Sequence, residues 1–211
     1  MAKTRVAVLA SGRGTDFQSI IDAKEHGDLD VEIVLLIVNN KDAKAIARAE
    51  KHRISWKFID HRGRSREDFE DEVIRMLEPL KVDLIVLAGF MRLVTPHLIG
   101  HYPNRIINIH PALAPSFVGA HGHRDALNYG VKVSGCTIHF VDESVDGGPV
   151  ILQKAVEVLD DDTEETLSER ILEWEHIFLP LAVKLFSEGR LKVEGRRVKI
   201  DRKGITLPPM A

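Results

Sequence analysis

The run Val31-Glu-Ile-Val-Leu-Leu-Ile-Val38 is apolar at almost every position. A strand wetted on one side alternates apolar and polar residues. A nearly continuous run instead needs cover on both faces, which a parallel sheet packed with helices provides. Thr4-Arg-Val-Ala-Val-Leu-Ala10 and Asp83-Leu-Ile-Val-Leu-Ala88 are of the same kind. Helical spacing fills the gaps: Phe17, Ile20, Ile21 and Lys24; then Ala43, Ile46, Ala47 and Glu50; then Phe69, Val73, Met76 and Leu77, starting after Ser65 and closed by Pro79. Ile54-Ser-Trp-Lys-Phe-Ile59 alternates enough to be a strand nearer an edge. The alternation predicts an α/β fold, a Rossmann-like open, mostly parallel twisted sheet with helices on both faces.

Beyond Thr95-Pro96, a good N-cap and first-turn pair, the pattern changes. Arg105-Ile-Ile-Asn-Ile-His110 reads as a short β-branched strand. Gly135–Val141 and Val150–Val158 read as an antiparallel hairpin across the turn that holds Asp146. Asp160–Glu165 supplies a cap and an acidic first turn for a helix whose buried stripe is Leu167, Ile171, Trp174, Phe178 and Leu181. A closing antiparallel hairpin about Gly195 and a loose tail at Leu207–Ala211 follow. With 211 residues, 44% of them hydrophobic, one core and one domain over residues 1–211 are expected. Within it, residues 1–103 form a first half, 104–190 a second, and 191–211 the hairpin and tail.

A net charge of −3, with basic and acidic residues mixed throughout, gives no reason to expect a nucleic-acid or membrane surface. The single Cys136 excludes an intrachain disulfide and reads as a small core residue. No secretory apolar segment and no run of ~18 apolar residues is present, so a cytoplasmic enzyme is expected. His121 and His123 lack the i, i+4 spacing of a helical zinc motif, and no metal is expected.

Two places carry candidate chemistry. The loop Ser11-Gly12-Arg13-Gly14-Thr15 joins the first strand to the first helix, where free backbone N–H groups and the positive end of the dipole suit a phosphate monoester. It is neither a Walker loop nor a complete dinucleotide fingerprint, because Phe17 stands at the third glycine position. The second place is Asn108-Ile109-His110-Pro111. Side chains two apart on a strand share a face, and Pro111 ends the ladder just after His110, at the strand end where open α/β sheets hold ligands. An imidazole can donate to an oxyanion or move a proton, and an amide donates without titrating. Asp146 could return to set the tautomer. No Ser or Cys nucleophile with a matching base is evident. The alternative reading is a strand end with satisfied polar groups and Asp146 as a turn residue before Gly147-Gly148.

Five ordered segments carry a resemblance: Leu87-Ala-Gly-Phe-Met-Arg-Leu93, Asn108-Ile-His-Pro-Ala-Leu113, Gly119-Ala-His-Gly-His-Arg124, His139-Phe-Val-Asp-Glu143 and Asp146-Gly-Gly-Pro-Val-Ile-Leu-Gln153. Together they resemble the glycinamide ribonucleotide formyltransferases, from Ser11 to about Arg190. The resemblance implies transfer of a formyl group from 10-formyltetrahydrofolate, as co-substrate, to the amine of glycinamide ribonucleotide. It implies Asn108, His110 and Asp146 as the catalytic set, and Met91, Arg92, Leu93, Val94 and Asp142 at the folate. It assigns Gly12, Arg13, Gly14, Thr15, Asp16 and Glu175 to the ribonucleotide, the phosphate in the first half. Small molecules are the expected partners, with a homodimer as a further possibility. The family's loop usually reads Gly-Ser-Asn. Here Asp16 replaces the amide, which either sets a carboxylate against the phosphate or leaves it as the helix N-cap. Ala112, Ala114 and Ser116 also depart from the family's Ser-Leu-Leu-Pro-basic pattern. His139 alternates away from Cys136 and reads as strand surface or core. Methionyl-tRNA formyltransferases and formyltetrahydrofolate hydrolases resemble the chain less, the former for their further C-terminal domain and the latter for a regulatory domain before the catalytic one. A formylfolate hydrolase and a non-catalytic nucleotide- or folate-binding protein remain the alternatives.

Overall fold

The computed structural model describes residues 2–211, in two compact units, one running to Ile107 and the other from Asn108 to Ala211. The first comprises β1 (Thr4–Ala10), α1 (Thr15–Glu25), β2 (Val31–Val38), α2 (Ala45–Lys51), β3 (Trp56–Phe58), α3 (Arg66–Leu77), a 3-10 turn (Glu78–Leu80), β4 (Leu84–Leu87) and α4 (Pro96–His101). Its strand order is β3-β2-β1-β4. All the pairings among these strands are parallel. The continuous apolar runs behave as required: Val6 to Ala10 and Leu84 to Val86 are wholly buried. β3, the outermost strand, exposes Lys57 and half-buries Trp56 and Phe58, the alternation of an edge.

The caps match the residues present. Ser65 accepts the N–H of Asp68 at the start of α3, and Thr95 accepts that of His97 ahead of Pro96 in α4. Glu70 on α3 is buried, and its carboxylate receives the Thr95 N–H at 2.7 Å, the Thr95 hydroxyl at 2.5 Å and the Leu98 N–H at 3.3 Å. It thereby satisfies the open donors at the start of α4.

β5 (Ile106–His110) carries the chain onward, its approach held by the Ile85 N–H on the Arg105 carbonyl. The second unit adds α5 (Gly122–Tyr129), β6 (Val133–Phe140), β7 (Val150–Glu157), α6 (Glu164–Ser187), β8 (Leu191–Glu194) and β9 (Arg197–Ile200), with the strand order β5-β6-β7-β9-β8. β6 and β7 are antiparallel, with a register shift between Ile138 and His139. β9 runs parallel to β7 and antiparallel to β8. The mixed, mostly parallel α/β class and both hairpins are as the sequence predicts.

Thr163 caps α6, its hydroxyl taking the Thr166 N–H while the Thr166 hydroxyl takes the Thr163 N–H, and Glu164 and Glu165 follow in the first turn. Leu167, Ile171 and Phe178 are buried as expected. Trp174 and Leu181 are only half-buried, and the Trp174 ring instead carries the Lys154 ammonium at 4.3 Å. The tail is tied down, because the Ala155 N–H on β7 donates to the Met210 carbonyl at 2.9 Å. Among the described residues no helix is long and apolar enough to cross a membrane.

Candidate active site

Asn108 and His110 do share a face of β5, and Asp146 meets both. The Asn108 amide donates to Asp146 Oδ1 at 3.1 Å, and His110 Nδ1 lies 3.4 Å from Asp146 Oδ2. Asp146 comes from the loop between β6 and β7 and is held at φ +49°, left-handed for a residue with a side chain. The loop is tight. A Cβ on Gly148 would lie 1.8 Å from the Phe140 carbonyl oxygen, and one on Gly147 would lie 2.5 Å from the Ser144 hydroxyl. Oδ2 also accepts the Gly119 N–H at 2.8 Å, so the carboxylate is fixed from two sides.

A fourth residue completes the cluster. His139 is 2% exposed, with Nε2 3.1 Å from the Asn108 amide nitrogen and 3.8 Å from Asp146 Oδ1. Its Nδ1 lies 2.9 Å from the Phe140 carbonyl, which can only accept, so Nδ1 carries the proton and Nε2 presents a lone pair to Asn108. Burial pushes its pKa below the usual imidazole value, against smaller opposing effects of the Phe140 hydrogen bond and the Asp146 charge. Both amide hydrogens of Asn108 are therefore engaged, one by His139 and one by Asp146. Counting alternation from Cys136 places His139 on the other face. The register shift just before it breaks that parity, and β6 is buried along nearly its whole length, so alternation carries little meaning there.

His110 is also 2% exposed, and its Nε2 lies 2.8 Å from the Phe117 carbonyl oxygen. That nitrogen must donate, which leaves Nδ1 toward Asp146 Oδ2. Asp146 Oδ2 is placed to pair with the ring when Nδ1 carries a proton. Such a pair can stabilise an oxyanion at Nε2 and exchange a proton at Nδ1. The loop that brings Phe117 round is braced at its root. The Thr137 hydroxyl donates to the Ala112 carbonyl and accepts the Ala114 N–H, at 2.7 and 3.0 Å, and the Gln153 amide donates to the Ala114 carbonyl at 2.9 Å.

In the first unit, Gly14 caps α1 at φ +69°, with no side-chain cap. A Cβ there would meet the Ala45 Cβ at 2.7 Å and its Cα at 2.9 Å, so the tight approach of α2 also demands glycine. The N-cap reading of Asp16 is thereby corrected: the left-handed turn at Gly14 starts the helix earlier, and Asp16 falls inside its first turn. It is 9% exposed, and burial raises its pKa to about 6 while the Arg13 charge opposes the rise. Arg48, on α2, carries no local sequence signal of a role here. It donates to the Arg13 carbonyl at 3.0 Å and to the Gln18 side chain at 3.1 Å, adding a second cation beside the loop.

The segment Met91–Val94 is irregular, with Met91 65% and Leu93 47% exposed. It is held where the Met91 N–H donates to the Ser11 hydroxyl at 2.8 Å and where the Arg92 guanidinium lies over the Phe69 ring, 4.9 Å from its centroid. In the second unit, Glu175 is buried on α6, and Asp142 opens the Asp146 loop by accepting the Ser144 N–H at 2.9 Å. Among the described residues, no group of three or more His, Cys, Asp or Glu side chains is arranged to hold a metal ion.

Comparison with known proteins shows what the whole chain is similar to. The family model for formyl transferase matches residues 4–183. The chain is 37% identical to the phosphoribosylglycinamide formyltransferase of Haemophilus influenzae, over 95% of each. It is 44% identical to the trifunctional purine biosynthetic protein adenosine-3 of Gallus gallus over 90% of its own length, but spans only 19% of that larger protein. Among solved structures, glycinamide ribonucleotide transformylase 1 from Symbiobacterium toebii superposes with a TM-score of 0.91 at 45% identity, covering 94% of each chain.

Proposed function

The chain belongs to the formyl transferase family, and on that footing we propose that it moves the formyl group of 10-formyltetrahydrofolate to the amine of glycinamide ribonucleotide, a step of de novo purine biosynthesis. The observation that carries this reading is the closed cluster of Asn108, His110, His139 and Asp146, a donor and a proton carrier with no nucleophile among them. Acyl transfer without a covalent intermediate needs just these parts.

In the proposed reaction the amine attacks the formyl carbon directly. The new nitrogen–carbon bond forms, the bond from the folate nitrogen to that carbon breaks, one proton leaves the amine and one reaches the folate nitrogen. His110 Nε2 donates to the oxygen that becomes negative. The Phe117 carbonyl, 2.8 Å from that nitrogen, marks where such an oxygen fits, so the formyl oxygen takes its place. Asp146, facing Nδ1 through Oδ2, balances the imidazolium and carries the amine's proton toward the leaving nitrogen. Asn108 holds the Asp146 carboxylate while His139 accepts its other hydrogen, and it donates to the oxyanion once one of those bonds opens. The Gly12–Asp16 loop takes the ribonucleotide phosphate on the N–H groups of α1, which no side chain caps. Backbone groups of Met91–Val94, with Asp142, read the folate, and Glu175 takes the sugar hydroxyls or the amine.

The test is to mix the protein with 10-formyltetrahydrofolate, with and without glycinamide ribonucleotide, and to weigh the folate and nucleotide products. Formylated ribonucleotide is expected only when both are present. Free formate without the nucleotide would make it a hydrolase instead, and no turnover with either would point to a binding role.

A further inference from the structure

The geometry points to Arg196, at the turn of the β8–β9 hairpin, as a positioning residue that staples the loop carrying Asp146. The hairpin lies past residue 183, where the match to the family model ends. Its base is anchored: Arg190 donates to the Lys203 carbonyl at 2.8 Å and to the Asp201 carbonyl at 3.3 Å, and the Asp201 N–H returns to the Arg190 carbonyl at 2.9 Å. Arg197 then stands in register with Val150, two residues beyond the end of the Gly147-Gly148 turn. That register brings the preceding side chain to the loop. Arg196 Nη2 donates to the Gly147 carbonyl at 2.5 Å, and its Nη1 lies 4.0 Å from Asp142 Oδ2. One guanidinium therefore bridges the two ends of the segment, the acid that opens it and the glycine after Asp146.

What lies between those ends makes the staple matter. Asp146 holds φ +49°, a left-handed conformation uncommon for a residue with a side chain, which Asp adopts more readily than most. The Asp142 carboxylate is already committed to the Ser144 N–H, so the guanidinium binds a preformed turn. Released at Gly147, the loop is free to relax at Asp146, and the distance at risk is the 3.4 Å from Oδ2 to His110 Nδ1. A planar fork with donors on two nitrogens can serve a carbonyl and a carboxylate together, which the point charge of a lysine does less well.

The inference rests on Asp146 as the proton carrier of the proposed reaction, so two readouts separate the ideas. R196A, R196K and the hairpin control R202A are compared for formyl transfer and for amide hydrogen exchange across residues 142–148. In R196A, kcat is expected to fall roughly three- to tenfold with KM for the ribonucleotide unchanged. Loop exchange should quicken, and Tm should stay within about 2 °C because the side chain is exposed. R196K should fall between, and R202A should match the wild type. Wild-type kcat in R196A, unchanged loop exchange, or an equal loss in R202A overturns the staple. If the wild type transfers no formyl group, the reading of the reaction fails, and exchange in R196A alone decides whether Arg196 holds the loop.

Discussion

Asp16→Asn tests whether the carboxylate beside the glycine loop is the burden its burial implies. Its pKa rises from 3.8 to about 6 on folding, a difference of about 2 units. At about 1.4 kcal/mol per unit this is about 3 kcal/mol of lost stability once the group is ionised in both states. The sign follows from the protons bound. Between pH 3.8 and about 6 the unfolded chain has released this proton while the folded chain keeps it, so stability falls as pH rises through that window and levels off above it. Asparagine has nothing to ionise. Asp16→Asn should therefore match the wild type near pH 4 and exceed it by about 3 kcal/mol at pH 7.5, which is about 6–12 °C in Tm for a chain of this size. Thermal and urea unfolding at several pH values between 4 and 8 give the comparison, and calorimetric titration at pH 7.5 should show tighter ribonucleotide binding as well, because a negative charge next to a phosphate has gone. A stability difference that does not change with pH would refute the reasoning, since only ionisation of a buried acid makes it grow.

Other outcomes follow from the same geometry. Gly14→Ala must place a methyl group against Ala45 at φ +69°, and should cost on the order of 1–3 kcal/mol in urea unfolding while raising KM for the ribonucleotide more than KM for the folate. His139→Leu removes the acceptor of Asn108 and should lower kcat by roughly tenfold. It should also change the acid limb of stability. The wild-type ring is held neutral by burial, so the unfolded chain takes up a proton near pH 6.5 that the folded chain refuses, and stability falls as pH drops below that value. Tm measured from pH 5 to 7 should slope less in His139→Leu, and an identical slope would remove His139 as its source.

The parallel strands were legible because burial on both faces leaves unbroken apolar runs, and the caps at Ser65 and Thr95 because their side chains act within three residues. The shared face of Asn108 and His110 followed from strand periodicity alone. What escaped depended on contacts distant in sequence or on a broken period. α5 presents only Gly122 and Ala126 to the interior and so has no apolar stripe to read. His139 sits just past a register shift, and its partner Asn108 is 31 residues away. Asp16 was misplaced because the helix start was set by a glycine conformation and not by a capping side chain. Half-buried Arg48 and exposed Arg196 reach their carbonyls across 35 and 49 residues, which leaves no mark in any local pattern.

The most direct measurement is passage of the labelled carbon itself. Wild type and His110→Ala are incubated with glycinamide ribonucleotide and 10-formyltetrahydrofolate carrying a 13C formyl group, and the nucleotide is weighed over time while circular dichroism confirms that both proteins are folded. The account predicts a labelled formyl ribonucleotide from the wild type, formed roughly 100- to 10,000-fold more slowly by a folded His110→Ala. Equal rates from the two proteins, or label released as formate with the nucleotide untouched, would contradict it.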